Sequence, residues 1–455
     1  MCTLRGQGCI RWAALLAVVA MGTLAGCITA MDRHSAAQLK ENLAELRQLN
    51  FVRDVPFTVK SPDEAQRMIE ANLSRDSTEQ QMRLSGTAGA MTGLFPPGTD
   101  LKQAELRLAR QQIAGFYDPK LKVMVQVRGQ SVLGSSMMGR TVFSDELLEA
   151  HELTHALQDQ HFGLQAMLSR VKDNDDEEIA LHSLIEGDAT LAGLTYVSGD
   201  STEKNVEDIV TRFAALPDSF EPESSGTPLA LSASLMFQYS AGTRFVAEAW
   251  ERGGWSEVNA LYHNPPQSSQ EIIDPSLYFE TPAPPMQIDL KGYETLLPGW
   301  KQMDTDTFGV LLLRVIFQRN LADSSAAADS IEKTWRGDRM VILQKGDQLC
   351  VLWLIAFNTS DAARDFATAY SSILDNLEEP RSKSHHLEAR DNAVLIVIGP
   401  PAAKFSQLAP AVWKATTLTP QCSLLFPTDN VAVGCKPVTA LVQKTLVAPP
   451  TDSLH

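Results

Sequence analysis

The stretch that decides the fold is DELLEAHELTHALQDQ, residues Asp145–Gln160. It contains neither Gly nor Pro, and this composition favours one continuous helix. Successive helical residues are about 100° apart around the axis, so His151 and His155 lie about 40° apart and one turn from each other. Both imidazoles can therefore reach one metal ion, and Glu152 projects beside them. The stretch predicts a metal site on a helix.

The His-Glu-x-x-His spacing is typical of zinc sites in which the glutamate takes a proton from metal-activated water. We therefore predict Zn²⁺ as the cofactor, His151 and His155 as metal ligands, and Glu152 as the catalytic acid–base residue. Chance alone produces this spacing in roughly one chain in a hundred of this length, so its context matters. One departure from the extended peptidase pattern is Glu149, where an uncharged residue is expected.

Two residues compete to be the third ligand. His161 lies six positions after His155, but a sharp turn would need Gly where Gln158 stands. Without that turn the helix continues, and His161 rotates about 240° away from the site. Glu186 lies 31 residues past His155 in a separate helical stretch, and we predict it as the ligand. Three nearby residues remain open as substitutes: Glu177, Glu178 and His182.

The motif at 151–155 followed by Glu186-Gly187-Asp188-Ala189 resembles the gluzincin class of zinc metallopeptidases. It is especially similar to a group of poorly characterised bacterial envelope proteins. The resemblance covers roughly residues 100 to 280 and implies a peptide or protein substrate, hydrolysed by endopeptidase action. The segments that contribute to it are Gly115–Pro119, Tyr239–Val246, Gly253–Trp255 and Pro265–Glu271.

The sequence departs from that class at two positions, and these departures bear on peptidase activity more than on metal binding. Thr190 stands four residues past Glu186, where gluzincins often have an Asp that orients a histidine, and Asp274 stands where similar sequences often carry His. Tyr117 and Tyr239 are candidate catalytic donors to a tetrahedral oxyanion, although buried tyrosines are more often simply packed. The alternative function is a catalytically inactive zincin-like lipoprotein that acts as a binding or scaffold protein.

The first residues have the pattern of an export signal. Arg5 and Arg11 precede an apolar run, Trp12–Leu24, which is too short for a bilayer span of about 20 residues. The tetrapeptide Leu24–Cys27 matches the bacterial lipobox, which implies cleavage before Cys27 and lipidation of its thiol. We therefore expect a lipid-anchored protein of the bacterial cell envelope, at the periplasmic face of either membrane or at the cell surface.

Composition narrows the function further. Hydrophobic residues make up 44% and charged residues 21% of the 455 positions, which is typical of a globular chain. A net charge of −16 argues against nucleic-acid binding, which needs clustered Lys and Arg. In an oxidising compartment Cys422 and Cys435 are the natural disulfide pair, and Cys350 lies in an apolar run typical of a buried strand.

The predicted fold is α+β, with a mainly helical zincin-like metallopeptidase domain that contains a small strand region, followed by a smaller α+β domain. A chain of this length exceeds what one core usually serves. Pro-rich stretches before residue 300 suggest where the first domain closes. The predicted parts are a signal peptide (1–26), an anchor and spacer (27–60), the metallopeptidase domain (61–300), the small domain (301–400) and a C-terminal extension (401–455).

Overall fold

Helices predominate in the computed structural model, which describes residues 33–76, 78–110, 115–128, 145–171, 173–199, 202–214, 226–377 and 384–420. The fold is mixed α+β with several small sheets. The predicted signal segment, Cys27, Cys422 and Cys435 lie outside the described residues. Inside these ranges, no helix has both the length and the apolar composition that a membrane crossing requires.

The helices vary from single turns to a span of more than thirty residues. In chain order they are α1 (Arg33–Arg47), α2 (Pro62–Asp76), α3 (Glu79–Thr92), α4 (Leu101–Arg110), α5 (Asp145–Phe162), α6 (Leu164–Val171), α7 (Asp175–Ser198), α8 (Glu203–Ala214), α9 (Leu229–Leu261), α10 (Ser269–Ile273), α11 (Ser276–Phe279), α12 (Gly309–Asn320), α13 (Ser325–Thr334), α14 (Ser360–Asn376) and α15 (Phe405–Ala415).

The strands form three sheets. In chain order they are β1 (Phe57–Lys60), β2 (Gly115–Asp118), β3 (Val123–Val127), β4 (Met286–Asp289), β5 (Lys301–Asp306), β6 (Trp335–Lys345), β7 (Gln348–Phe357), β8 (His385–Arg390), β9 (Ala393–Ile398) and β10 (Thr417–Pro420). The first sheet has the order β1-β3-β2, with β1 parallel and β2 antiparallel to β3. Strands β4 and β10 pair antiparallel, and the antiparallel order β5-β6-β7-β9-β8 forms the largest sheet.

Helix α7 lies at the centre of the helical region, between α5 and α9. Asn174 caps its first turn by accepting from the Glu177 N–H at 3.1 Å, and the acidic residues that follow face the positive end of the helix. Glycines let the helices approach closely, because a Cβ on Gly187 would lie 2.3 Å from the Gly242 carbonyl of α9. A Cβ on Gly193 would lie 3.3 Å from the main chain of α5. Helices α5, α7 and α9 can thus pack closely against one another.

Apolar packing continues across the boundary predicted near residue 300. One cluster runs from α2 through α5, α7 and α9 to α12, α14 and one face of the largest sheet. The opposite face of that sheet is covered by α15, where Leu408 and Val412 pack with Leu352. Helix α1, inside the predicted spacer, packs Leu39 and Leu43 against the same cluster as α5. The helical region and the sheet region therefore support each other.

The helices predicted around His151 and Glu186 are confirmed as α5 and α7, and the apolar run that contains Cys350 is strand β7. Helix α3 was not predicted, because its Gly- and Ala-rich sequence has few large apolar side chains, although Thr78 and Gln81 form a capping box at its start. Strand β2 was also missed, because four residues followed by Pro119 resemble a turn. Short elements with weak patterns are thus the ones that sequence leaves out.

Candidate metal centre

Two histidines project from one face of α5, as their spacing of one helical turn requires. The Nε2 atoms of His151 and His155 lie 3.0 Å apart. Both side chains are buried, and so is Glu152 between them. Two imidazole nitrogens therefore face one point in the protein interior.

Glu186 reaches the same point from α7. Its Oε2 atom lies 3.2 Å from His151 Nε2 and 3.6 Å from His155 Nε2. A tetrahedral zinc ion with bonds of about 2.0–2.1 Å holds its ligand atoms about 3.3 Å apart. The three observed separations lie close to that value, so the chemistry and spacing of this donor set fit a zinc ion.

The other candidate ligands lie apart from this group. His161 is near the end of α5, where its ring nitrogen lies 2.8 Å from the main-chain oxygen of Asn50. His182 lies one turn before Glu186, and its Nε2 is 3.9 Å from Glu178 Oε1. Among the described residues, the cluster with metal-binding geometry consists of His151, His155 and Glu186.

Gln158 holds the second histidine and was missed as a functional residue. Its Oε1 lies 2.8 Å from His155 Nδ1, the ring nitrogen on the side opposite to the metal-facing Nε2. In the sequence, Gln158 is notable only because it stands where a sharp turn after His155 would need Gly. A residue three positions after a helical ligand lies on the same face, and this spacing is the signal that could have found it.

Glu152 is fixed by the first sheet. Its Oε2 atom accepts the main-chain N–H of Tyr117, in β2, at 2.7 Å. Burial raises the pKa of Glu152 to about 8, although His155 and the Tyr117 N–H act in the opposite direction. The carboxyl group predicted as the acid–base residue is therefore held beside the first ligand by main chain rather than by a charged partner.

Each of the two candidate tyrosines is hydrogen-bonded to a carboxylate through its hydroxyl. The Tyr117 hydroxyl donates to Asp159 Oδ2 at 2.9 Å, and Lys122 Nζ lies 2.6 Å from the same oxygen. Tyr117 thus contacts the site through its main chain and not through its hydroxyl. The Tyr239 hydroxyl is hydrogen-bonded to Glu186, and its ring centroid lies 6.0 Å from that of His151. Both hydroxyls have carboxylate partners, which argues against free oxyanion donors.

The group attracts positive charge. Burial lowers the pKa of His155, but the carboxylates of Glu186 and Glu152 raise it to about 9 overall. Burial raises the pKa of Glu186, but His155 and His151 lower it by more, so the carboxylate stays charged. Burial lowers the pKa of His151. The negative potential that favours a proton on His155 also favours a metal cation at the same place.

The departures from the gluzincin pattern have distinct positions. Thr190 is buried on α7, one turn past Glu186. Asp274 is exposed at the end of α10, where its Oδ1 accepts from the Ser276 hydroxyl at 2.6 Å. Glu149 accepts from Gln126 Nε2 at 2.6 Å. None of these three side chains belongs to the metal-binding cluster.

A cavity of about 530 Å³ lies away from the metal centre, between β4 and the largest sheet. Its lining is mostly polar and includes Gln287, Thr307 and Arg339. The three side chains of the metal-binding group, by contrast, are buried.

Comparison with known proteins bears on the second half of the fold. A family described as a domain of unknown function (DUF8575) matches residues 294–409. This segment contains the largest sheet together with the first five residues of α15, and it excludes the metal-binding residues. No curated protein and no solved structure matches the chain.

Proposed function

We propose that this chain is a zinc-dependent peptidase that hydrolyses peptide bonds in a peptide or protein substrate. One observation carries the proposal: three buried ligand atoms converge from α5 and α7, and the carboxyl group of Glu152 stands beside them. Structural zinc sites normally use four protein ligands, whereas catalytic sites use three and leave one position for water or substrate. A three-residue group therefore favours catalysis.

We further propose a zincin-like fold of the gluzincin type. The support is local: an HExxH helix, α5, lies against the small sheet β1-β3-β2, and a separate long helix supplies Glu186. The tight crossing of α7 and α9 at Gly187 and Gly242 gives two glycines of the resembling segments a packing role. These features agree with the resemblance found in the sequence.

Each residue of the centre then has a defined task. Zinc bound there would polarise the scissile carbonyl and lower the pKa of its water. The Oε1 atom of Glu152 has no hydrogen-bond partner among the described residues, so it can accept a proton and pass it to the leaving amine. The Tyr117 N–H holds the other oxygen of Glu152, and Tyr239 holds Glu186.

The proposed location is the bacterial cell envelope, with the chain anchored through lipid on Cys27. The support is the export-signal pattern and the lipobox at 24–27. The net charge of −16 gives no basis for a nucleic-acid partner.

A second candidate is a catalytically inactive lipoprotein in which the metal stabilises a scaffold. The complete burial of His151, His155 and Glu186 favours it, because a peptide substrate must reach the metal. The separate cavity beside the largest sheet could then serve binding.

One pair of variants separates these functions. Glu152→Gln should keep one zinc per chain and lose hydrolysis by about 10²–10⁴-fold. Glu149→Gln, on the same helix but hydrogen-bonded to Gln126, is the matched control and should keep both. Elemental analysis and digestion of a peptide library give the two readouts. Zinc without turnover in the unmodified chain would favour the scaffold, and a chain that binds no zinc would reject both functions.

A further inference from the structure

We propose that Arg47, Asp188 and Gln158 position the metal ligand His155, so that the amino-terminal helix α1 forms part of the metal centre. The inference rests on the proposed zinc site. It assigns a function to a helix that the sequence suggested to be a spacer. A chain of contacts leads from His155 outward to α1.

The first contact fixes the protonation of His155. Gln158 Nε2 donates to the Ile185 carbonyl at 3.0 Å and to Asp188 Oδ2 at 2.9 Å. Because both partners are acceptors, the amide nitrogen must point toward them and its oxygen toward His155. His155 Nδ1 must then carry the proton, since Gln158 Oε1 can only accept. The lone pair of a neutral His155 is therefore on Nε2, which faces His151 and Glu186.

The second contact holds Gln158 in place. Asp188, fully buried on α7, accepts from Gln158 and also from the Tyr262 hydroxyl at 2.8 Å. Its charge is balanced by Arg47, whose Nε lies 3.0 Å from Oδ1 and whose second nitrogen donates to Oδ2 at 3.0 Å. Asp188 thus reaches the site through the amide of Gln158.

The third contact is α1 itself. Arg47 is its last residue and is fully buried, with the guanidinium 4.4 Å from the ring centre of Trp255 and donating to Asn259 at 3.0 Å. Leu43, one turn earlier, packs in the cluster that contains Leu153 of the HExxH motif. A residue 141 positions before Asp188 is thereby built into the support of a metal ligand.

Metal-ligating histidines are usually oriented through the ring nitrogen that does not bind the metal, and loss of such a partner typically weakens metal affinity by about 10–100-fold. Here the partner is an amide held by a buried ion pair. The ion pair fixes which amide atom faces His155. Substitution of Arg47 should therefore change the zinc affinity, although Arg47 touches no metal ligand.

The test measures the zinc dissociation constant of the full-length chain, with Zn²⁺ alone in competition with a chromogenic chelator. Gln158→Met should weaken zinc binding about 10-fold or more, and Arg47→Met about threefold or more, since it acts one contact further out. Gln160→Met is the matched control, because Gln160 lies on the same helix and contacts only the main chain at 52–53. It should bind zinc like the unmodified chain.

A double-mutant cycle separates positioning from a general loss of stability. If Arg47 acts through Gln158, Arg47→Met should cause little further loss in the Gln158→Met background. The inference would be overturned if Arg47→Met weakened zinc binding equally in the unmodified chain and in the Gln158→Met chain. It would also be overturned if Gln158→Met left the zinc affinity unchanged. Arg47→Lys keeps the charge that balances Asp188 and provides a folded variant if Arg47→Met does not fold. Absence of zinc in the unmodified chain would instead reject the proposed function.

Discussion

Helix α7 carries buried carboxyl groups at its midpoint and at its amino-terminal end, in opposite electrostatic surroundings. At the metal centre, Glu186 faces two histidines that lower its pKa by more than burial raises it. Near the amino-terminal end, Asp175 faces Asp306, and burial together with that negative neighbour raises the pKa of Asp175 well above its usual range. Burial alone therefore does not decide charge. The partners do, and of these two sites it is the metal centre that keeps a buried anion able to bind a cation.

The acidic end of α7 is a structural junction with the largest sheet. Asp306 accepts the Asp175 N–H at 3.0 Å, and the Asp176 N–H donates to the Thr307 carbonyl at 3.0 Å. Gly309, at φ +67°, is required here because a Cβ would lie 1.8 Å from Asp176 Oδ1. The carboxyl group of Asp306 accepts the main-chain N–H groups of Asp175 and Thr307, so it joins α7 to the end of β5.

The largest expected effect comes from breaking this junction at Asp338. Its carboxyl group accepts from four buried donors, the Phe308 and Gly309 N–H groups and the indoles of Trp335 and Trp353. Asp338→Ala leaves them unsatisfied and should lower the free energy of unfolding by at least about 4 kcal/mol.

Urea unfolding measures this loss. Asp347→Ala, at an exposed carboxylate, is the control and should stay within about 0.5 kcal/mol. A loss of less than about 1 kcal/mol in Asp338→Ala would show that these four hydrogen bonds contribute little to stability.

The metal centre and the junction also differ in how far sequence could predict them. The metal centre depends on local spacing: His151 and His155 are one helical turn apart, and the Asn174 cap marks the start of the helix that carries Glu186. The junction depends on contacts between distant residues, and so does the pairing of Arg47 with Asp188 across 141 positions. Such contacts follow from tertiary packing, which no local pattern encodes.

Removal of zinc should have the next largest effect. A ligand at 100 times its dissociation constant stabilises the folded state by about 2.7 kcal/mol, so chelation should lower the free energy of unfolding by that amount. Thermal unfolding with Zn²⁺ and with a chelator gives the difference. Glu186→Gln lacks one ligand and should lose the response. An equal response in Glu186→Gln would place the stabilising metal elsewhere.

A pH titration sharpens the contrast at the junction. Burial raises the pKa of Asp306 from 3.8 to about 7, so its protonated form contributes stability at low pH that is lost as the pH rises through about 7. Asp306→Asn keeps an oxygen for the two main-chain N–H groups and removes the titration of this carboxyl group. Relative to the unmodified chain, the free energy of unfolding of the variant should therefore increase as the pH rises from 5 to 7. Parallel stability curves for the two proteins would contradict the raised pKa.

The smallest effect is expected at Tyr117, where the metal centre meets the first sheet. Tyr117→Phe removes a hydroxyl that donates to Asp159 but keeps the main-chain N–H on Glu152. Lys122 still neutralises Asp159, so the free energy of unfolding should fall by only about 1 kcal/mol and zinc affinity should stay unchanged.

A peptidase assay on the same variant tests the role first predicted for this hydroxyl. A loss of hydrolysis of about 100-fold or more with little change in stability would make it a transition-state donor. The observed partner, Asp159, predicts the opposite, because a hydroxyl committed to a buried carboxylate has no proton to offer a substrate oxygen.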